Sequence, residues 1–280
     1  MQYLQAIVLG AVQGLTEFLP ISSDGHLFIV RQLFGWSDQG LLFDAVLHIG
    51  TLLSIIIVLW RDLAELFVGF WQVITRRELT KTRQERLFVA AVVATIPAAV
   101  AGYFLEDLFT TTYRNVLSVG LWFAACGAFY LLAEQLVRKK QQTKLEPTVR
   151  DALAIGLAQV TALLPGVSRS GTTIATGSLV GLKREAAARF SFVMAAPIIA
   201  GASLLSLVQL LTGHAGSATA PVTLRDWLPL IVGTLVALVV GVFALKGLLQ
   251  IVKRRGLRLF GAYMLTLGGL IVALHLFGIW

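Results

Sequence analysis

One cysteine in 280 residues, Cys126, excludes a disulfide framework and any cysteine-rich metal site. Charge is scarce as well: Asp, Glu, Lys and Arg make up 14% of the chain, against about 25% in an ordinary soluble domain. Acidic residues are the fewest, 15 against 23 basic, for a net charge of +8. No basic segment precedes the opening run MQYLQAIVLGAVQGLTEFLP, which argues against a cleavable signal peptide. These shortages exclude a disordered chain, a nucleic-acid-binding domain and most soluble folds. What is present is apolar: 57% of residues are hydrophobic and the mean hydropathy is +0.81. The reading is an all-α polytopic membrane protein, one integral-membrane domain over 1–280, with its basic excess in loops that face anionic lipid.

A spanning helix needs roughly 20 mainly apolar residues. Six stretches qualify: 43–60, 87–105, 116–136, 190–212, 227–246 and 259–279, with Pro97 and Pro197 inside two of them. Two further apolar regions are too short and are broken. Residues 3–19 stop at Pro20 and Ser22-Ser23-Asp24-Gly25 before a second run, 27–34. Residues 152–164 stop at Pro165-Gly166 and Ser168-Arg169-Ser170-Gly171 before 174–182. Each reads as a re-entrant helix-loop-helix hairpin, whose irregular backbone must be buried in protein or line a wet cavity. The segments 61–86, 138–150, 183–189 and 246–258 hold 19 of the 23 Lys and Arg. They share one face only if 152–182 dips in and returns, and that face is the cytoplasmic one. Both termini are then expected outside.

Shifting the chain by 146 residues lays Gly10, Gln13, Ser22 and Gly25 over Gly156, Gln159, Ser168 and Gly171. Each half, about 1–146 and 147–280, holds one broken hairpin and three spans. An odd number of crossings per half inverts the second half relative to the first, so the two loops enter from opposite sides.

Ionisable groups within hydrocarbon normally mark function. Glu17, Asp24, His26 and Arg169 sit at or beside the two breaks, with Asp44 just after the first. Gln13 and Glu17, four apart, share one face of the first half-helix. Ser22, Ser23 and Gly25 precede the next half-helix, whose free N–H groups favour an anion. The second break adds the hydroxyls of Ser168, Ser170, Thr172 and Thr173 and the donor fork of Arg169, which suits bidentate phosphate binding. Two such loops facing each other suit a diphosphate better than a single carboxylate. Hydrolysis further needs a nucleophile and a proton carrier. Glu17 and His26 could activate a water or a serine such as Ser23, and His26 could itself attack phosphorus. The nucleophile stays open among serine, histidine and water.

These residues resemble the undecaprenyl-diphosphate phosphatase, or bacitracin-resistance protein, family. The likeness rests on QGLTEFLPISSDGH at 13–26 and LPGVSRSGTT at 164–173, supported by FSFVMAAP at 190–197, and covers essentially the whole chain. It implies six spanning helices and two re-entrant hairpins in an inverted repeat, in the bacterial inner membrane. It also implies removal of the terminal phosphate from undecaprenyl diphosphate on the outer face. That reaction recycles the peptidoglycan lipid carrier and counters bacitracin. By position the family's functional residues fall on Glu17, Ser22, Ser23, His26, Ser168, Arg169, Ser170 and Thr173. Gln13 stands where many members have Glu, and Asp24 where Thr is usual. The family is described as divalent-cation dependent, with Glu17 the candidate ligand here for Mg²⁺ or Ca²⁺. Gln13 removes one charged donor, which argues against a metal held by protein ligands alone and leaves open one bound mainly to substrate phosphates.

Other readings compete. Ser22 and Ser168 could simply cap their half-helices. Asp44 and His48, one turn apart, read first as an internal hydrogen-bonded pair that could join the site. His214 and His275 read as unremarkable, Cys126 as an inert buried thiol, Arg138-Lys139-Lys140 as a topology determinant, and Trp60, Trp227 and Trp280 as an interfacial belt. A secondary transporter or flippase for polyprenyl phosphate is the rival function, and a non-catalytic lipid-binding scaffold the third. Partners are a polyprenyl diphosphate and membrane lipids, not nucleic acid, with a homo-oligomer left open.

Overall fold

The computed structural model describes residues 3–36, 40–77, 79–107, 113–139, 141–212 and 224–280; Lys140 and His214 lie outside the described residues. Eleven α-helices occur among them. The first half holds α1 (Tyr3–Thr16), α2 (Ser23–Phe34), α3 (Gly40–Val58), α4 (Trp60–Arg76), α5 (Arg83–Asp107) and α6 (Val116–Arg138). The second holds α7 (Val149–Val160), α8 (Arg169–Leu179), α9 (Arg184–Thr212), α10 (Leu224–Arg255) and α11 (Arg258–Leu276). Helices α5, α6, α9, α10 and α11 are each long and apolar enough to cross a bilayer. Their outward residues, such as Val239 and Phe243, are apolar and exposed, as a lipid-facing surface requires. Prolines sit inside α5 (Pro97), α9 (Pro197) and also α10 (Pro229).

The remaining expected span, 43–60, is α3, but it does not end in a loop. After Leu59 the chain turns by 89° into α4. Residues 61–86, read from their charge as a basic loop, are therefore helical as far as Arg76. The cause is an apolar stripe at Trp60, Leu63, Leu66, Phe67, Phe70 and Ile74, near the helical repeat, with Arg61, Asp62 and Glu65 off it. An amphipathic helix at a right angle to a spanning one suits the plane of a membrane interface.

The basic segments meet at one end of the bundle. Arg83 pairs with Glu65 (3.0 Å) and with Glu146, Arg189 with Asp62 (2.9 Å), Arg184 with Glu134 (2.7 Å) and Lys253 with Glu185 (3.0 Å). The hairpin α7–α8 starts and finishes there. Lys144 N donates to Gly181 O (3.1 Å) and Lys183 N donates to Lys144 O (2.9 Å), tying its entry to its exit. Residues 152–182 thus return to the end from which they came.

Packing partners are exchanged between halves: α1 lies on α10 and α7 lies on α5, while α3 meets α9 and α6 meets α11. The repeat-matched Gly10 and Gly156 allow these contacts. A Cβ on Gly10 would strike the Gly233 carbonyl of α10, and one on Gly156 would lie 2.6 Å from the Ala94 carbonyl of α5. Small residues at such crossings let helix backbones approach closely. Gly10→Val or Gly156→Val should each destabilise the purified protein by about 1–3 kcal/mol through overpacking. Gly247→Val, at a glycine with open space around it, should leave the thermal midpoint in detergent unchanged. Equal midpoints for all three would refute the close-packing account.

Candidate active site

Each hairpin ends its first helix near a proline and opens its second on a serine. In the first, Glu17 N donates to Gln13 O (3.0 Å), carrying α1 slightly further before Pro20. Ser22 then adopts φ 71°, uncommon for a residue with a Cβ, and its Oγ accepts from Gly25 N (3.4 Å). In the second, a 3-10 turn at Thr161–Leu163 leads through Pro165-Gly166 to Ser168, whose Oγ accepts from Gly171 N (3.2 Å). The two repeat-matched serines therefore both cap.

Both loops pack on α6, Gly25 against Phe123 and Gly171 against Tyr130, where any Cβ would collide. They also touch each other. Ser170 Oγ donates to Leu19 O (3.5 Å), and a Cβ on Gly171 would lie 2.9 Å from the Pro20 side chain. Two interrupted helices from opposite halves are thus held in contact inside the bundle.

Glu17 is the centre of that contact. Its Oε1 accepts from Arg169 Nη2 (2.7 Å) across the two hairpins. Its Oε2 accepts from Ser23 Oγ (2.7 Å) and Gln13 Nε2 (3.2 Å). His48 joins from α3, its Nε2 3.5 Å from Glu17 Oε2, while its Nδ1 lies 2.7 Å from the Asp44 carbonyl. A carbonyl only accepts, so Nδ1 donates there and Nε2 is the nitrogen left for the carboxylate. Thr173 Oγ1 bonds Arg169 O (2.8 Å) and Ser191 Oγ (2.6 Å), fixing the first turn of α8. Ser168 and Ser170 share a hydrogen bond (3.2 Å), and Thr172 and Ser168 bear on the buried Tyr130. Ser22, Ser168, Ser170, Thr172, Thr173 and Ser191 are all buried.

A cavity of about 420 Å³ opens beside this network. Glu17, His48, Gln159 and Arg169 form its polar wall, and Thr95, Ala99, Pro197 and Ile198 are among its other lining residues. Gln159 is not among the site residues expected from sequence, and His48 enters that reading only as a partner of Asp44 that could join the site. Gln159 carried a signal, since it matches Gln13 in the repeat. The signal for His48 was its place one turn beyond Asp44. The Asp44–His48 contact does form, but through the Asp44 backbone. The Asp44 carboxylate is instead forked by Arg31, through Nη1 (3.0 Å) and Nη2, in a buried pair. Asp24 is half-exposed and lies 4.0 Å from Arg114, with Glu17 paired elsewhere. His26 sits apart from the Glu17 hydrogen bonds. Its Nδ1 donates to Ser22 O (2.8 Å), its Nε2 accepts from Tyr263 Oη (2.8 Å), and its ring stacks between Phe123 and Tyr263.

The donors do not fit a divalent cation held by protein alone. Both Glu17 oxygens are engaged, and among the described residues no three His, Cys, Asp or Glu side chains converge. Of the residues at this centre, those with a buried oxygen that lacks a hydrogen-bond partner are Gln13 and Gln159, both neutral amides. Such cations accept amide oxygens, but two amides and one engaged carboxylate fall short of the six or more oxygen ligands that they take.

Fold and site together define an integral-membrane protein whose ion-paired polar centre lies between two helical hairpins. A sequence profile of the family described as "Bacitracin resistance protein BacA" matches residues 6–270. An "Undecaprenyl-diphosphatase" of Rubrobacter xylanophilus is 43% identical over 278 residues, 99% of each chain. Proteins of the same name from Moorella thermoacetica (42%, 98% of each chain) and Idiomarina loihiensis (41%, 95% of this chain and 97% of that one) are similarly close. The chain belongs to the BacA family of bacitracin-resistance proteins.

Removing one member of a buried ion pair leaves the other uncompensated. Glu17→Gln and Arg169→Met should therefore each cost stability, and the double variant should cost less than their sum by about 1–3 kcal/mol. Denaturant unfolding in detergent measures the cycle, and strict additivity would show that the contact couples nothing.

Proposed function

We infer that this protein is an integral-membrane phosphatase that hydrolyses undecaprenyl diphosphate to undecaprenyl phosphate and inorganic phosphate. The observation that carries the chemistry is one carboxylate, Glu17, holding both a hydroxyl and a guanidinium at the edge of a cavity. The family and the names of its relatives support the substrate. The reaction recycles the peptidoglycan lipid carrier and removes the diphosphate that bacitracin sequesters.

The diphosphate enters the cavity and takes Arg169 as its counter-ion, with the first N–H groups of α8 beyond. Arg169 then exchanges Glu17 for phosphate. Glu17, released from its cation, is the base that accepts the Ser23 hydroxyl proton along the existing hydrogen bond. Ser23 Oγ bonds to the terminal phosphorus as the bridging P–O bond breaks, and undecaprenyl phosphate leaves. Water then hydrolyses the seryl phosphate. Direct attack by a Glu17-activated water is the competing route. His48, with Nε2 toward Glu17, carries the proton between carboxylate and departing phosphate oxygen. His26 acts here by holding the Ser22–Ser23 turn through its bond to the Ser22 carbonyl. Gln13, Ser22, Ser168, Ser170, Thr172 and Thr173 shape the loops around the phosphates. A divalent cation such as Mg²⁺ or Ca²⁺ would be held mainly by the substrate phosphates, beside Glu17, and would supply charge neutralisation there.

The basic end of the bundle faces the cytoplasm of a bacterial inner membrane. Both termini are then outside, and the chemistry faces the outer side, from which α1–α2 enters. A flippase would need a second compartment to act, whereas a phosphatase would not.

Purified protein in detergent should release phosphate from undecaprenyl diphosphate. Glu17→Ala and Arg169→Ala should lower kcat by about 100-fold or more, His48→Gln by roughly 10-fold or more with an altered pH profile. His26→Gln should have the smaller effect of the two histidine variants. Ser23→Ala should abolish a trapped phosphoryl adduct; full turnover in that variant, with solvent oxygen entering phosphate in a single step, would select the water route. Wild-type turnover in the Glu17 and Arg169 variants would remove the site assignment.

A further inference from the structure

The cavity beside Glu17 has an apolar neighbour. Thr95, Ala99 and Pro197 line it and also line a second, apolar groove of about 430 Å³. That groove runs between α4 and α5, walled by Leu66, Phe67 and Phe70 on one side and by Phe88 and Val92 on the other. No charged side chain lines it. Along α5 it extends from Ala99 to Phe88, roughly 16 Å at about 1.5 Å per residue. Its α4 wall exists only because the chain turns by 89° after α3. Had α3 continued straight, this flank of α5 would face open lipid. Phe67 is 64% exposed along the groove, and Ile96 of α5 is 52% exposed.

We propose that this groove is a binding site for the isoprenoid chain of the substrate, and that it sets preference for long chains over short ones. The inference rests on the phosphatase reading and extends it from the phosphates to the lipid tail. A polyprenyl diphosphate has a polyanionic head joined to a branched, wholly apolar tail. The shared residues put a cavity with one charged wall next to an uncharged groove. Arg169 and Glu17 address the head. The tail passes Thr95, Ala99 and Pro197 and lies under α4, removing the Phe67 and Phe70 faces from lipid or water. Pro197 interrupts the regular bonding of α9 at the junction. A short isoprenoid ends near the junction, so only a longer one gains the α4 contacts.

The test is chain-length dependence in the full-length protein in lipid nanodiscs. Geranyl diphosphate is the short substrate and undecaprenyl diphosphate the long one. Two variants obstruct the distal groove from exposed positions: Val92→Trp by volume and Phe67→Lys by charge. A third, Val239→Trp, adds the same bulk on an exposed face of α10 outside the groove. In the two groove variants, KM for undecaprenyl diphosphate should rise about tenfold with kcat little changed. Their kcat/KM for geranyl diphosphate should stay within about twofold of wild type, which also reports an intact fold and site. Val239→Trp should match wild type with both substrates. Equal losses with the two substrates, or an unaltered preference between them, would overturn the groove assignment and leave it to ordinary bilayer lipid. Absence of turnover by the wild-type protein with either diphosphate would overturn the phosphatase reading itself, and the assigned occupant with it.

Discussion

A carboxylate and a guanidinium facing each other at 2.7 Å inside an apolar bundle are the constraint around which the protein is arranged. Neither ion is tolerable alone in such surroundings, and together they are tolerable only with their remaining valences met. Glu17 comes from one interrupted hairpin and Arg169 from the other, so the hairpins must meet. The meeting explains the local devices. Serine caps satisfy one early N–H in each second half-helix, Gly25 N in α2 and Gly171 N in α8. Two glycines clear Phe123 and Tyr130, and hydroxyls on the first turn of α8 hold the backbone beneath Arg169.

Neither half of the chain builds this centre unaided. Helix α1 is braced by α10 and helix α7 by α5, so each hairpin leans on a long helix of the opposite half. The repeat-matched glycines sit at both crossings. At the basic end, Lys144 ties the start of the second hairpin to its finish, and the Glu134 carboxylate joins Arg184 to the backbone N–H of Leu257. Those ties fix how deep the second loop reaches, and hence where Arg169 stands.

Much of this was legible in the amino acids because lipid removes alternatives. A run such as 116–136 has to be a buried or spanning helix, and a Pro-Gly-Ser interruption at membrane depth has to be sheltered. The returning course of 152–182 followed from the placement of basic residues. Helix α4 escaped because its charges were weighed before its periodicity; the stripe from Trp60 to Ile74 contained the answer. The pairing of Arg31 with Asp44 was not legible, since no local spacing relates two residues on different helices whose loop geometry is unknown. His48 illustrates the same limit. Its face was readable, but that this face meets α1 is a property of tertiary packing. Conversely, Ser22 and Ser168 show that a shared motif position can be met by a backbone role, in this case a cap.

Glutamine at position 13 makes this a site with one negative charge in its inner hydrogen-bond network. A second carboxylate there would compete with a diphosphate for Arg169 and would itself require a counter-ion. Gln13 instead donates a neutral N–H to Glu17 and leaves its carbonyl oxygen without a partner. Gln159 repeats that orphaned oxygen on the other hairpin. The resting Glu17–Arg169 pair carries no net charge of its own. In the reaction inferred above, an arriving phosphate draws the guanidinium away and thereby frees Glu17 to accept a proton. Coupling the release of the base to the arrival of the anion keeps the carboxylate compensated when no substrate is present. It also gives a membrane-buried acid a reason to be paired across two hairpins rather than within one.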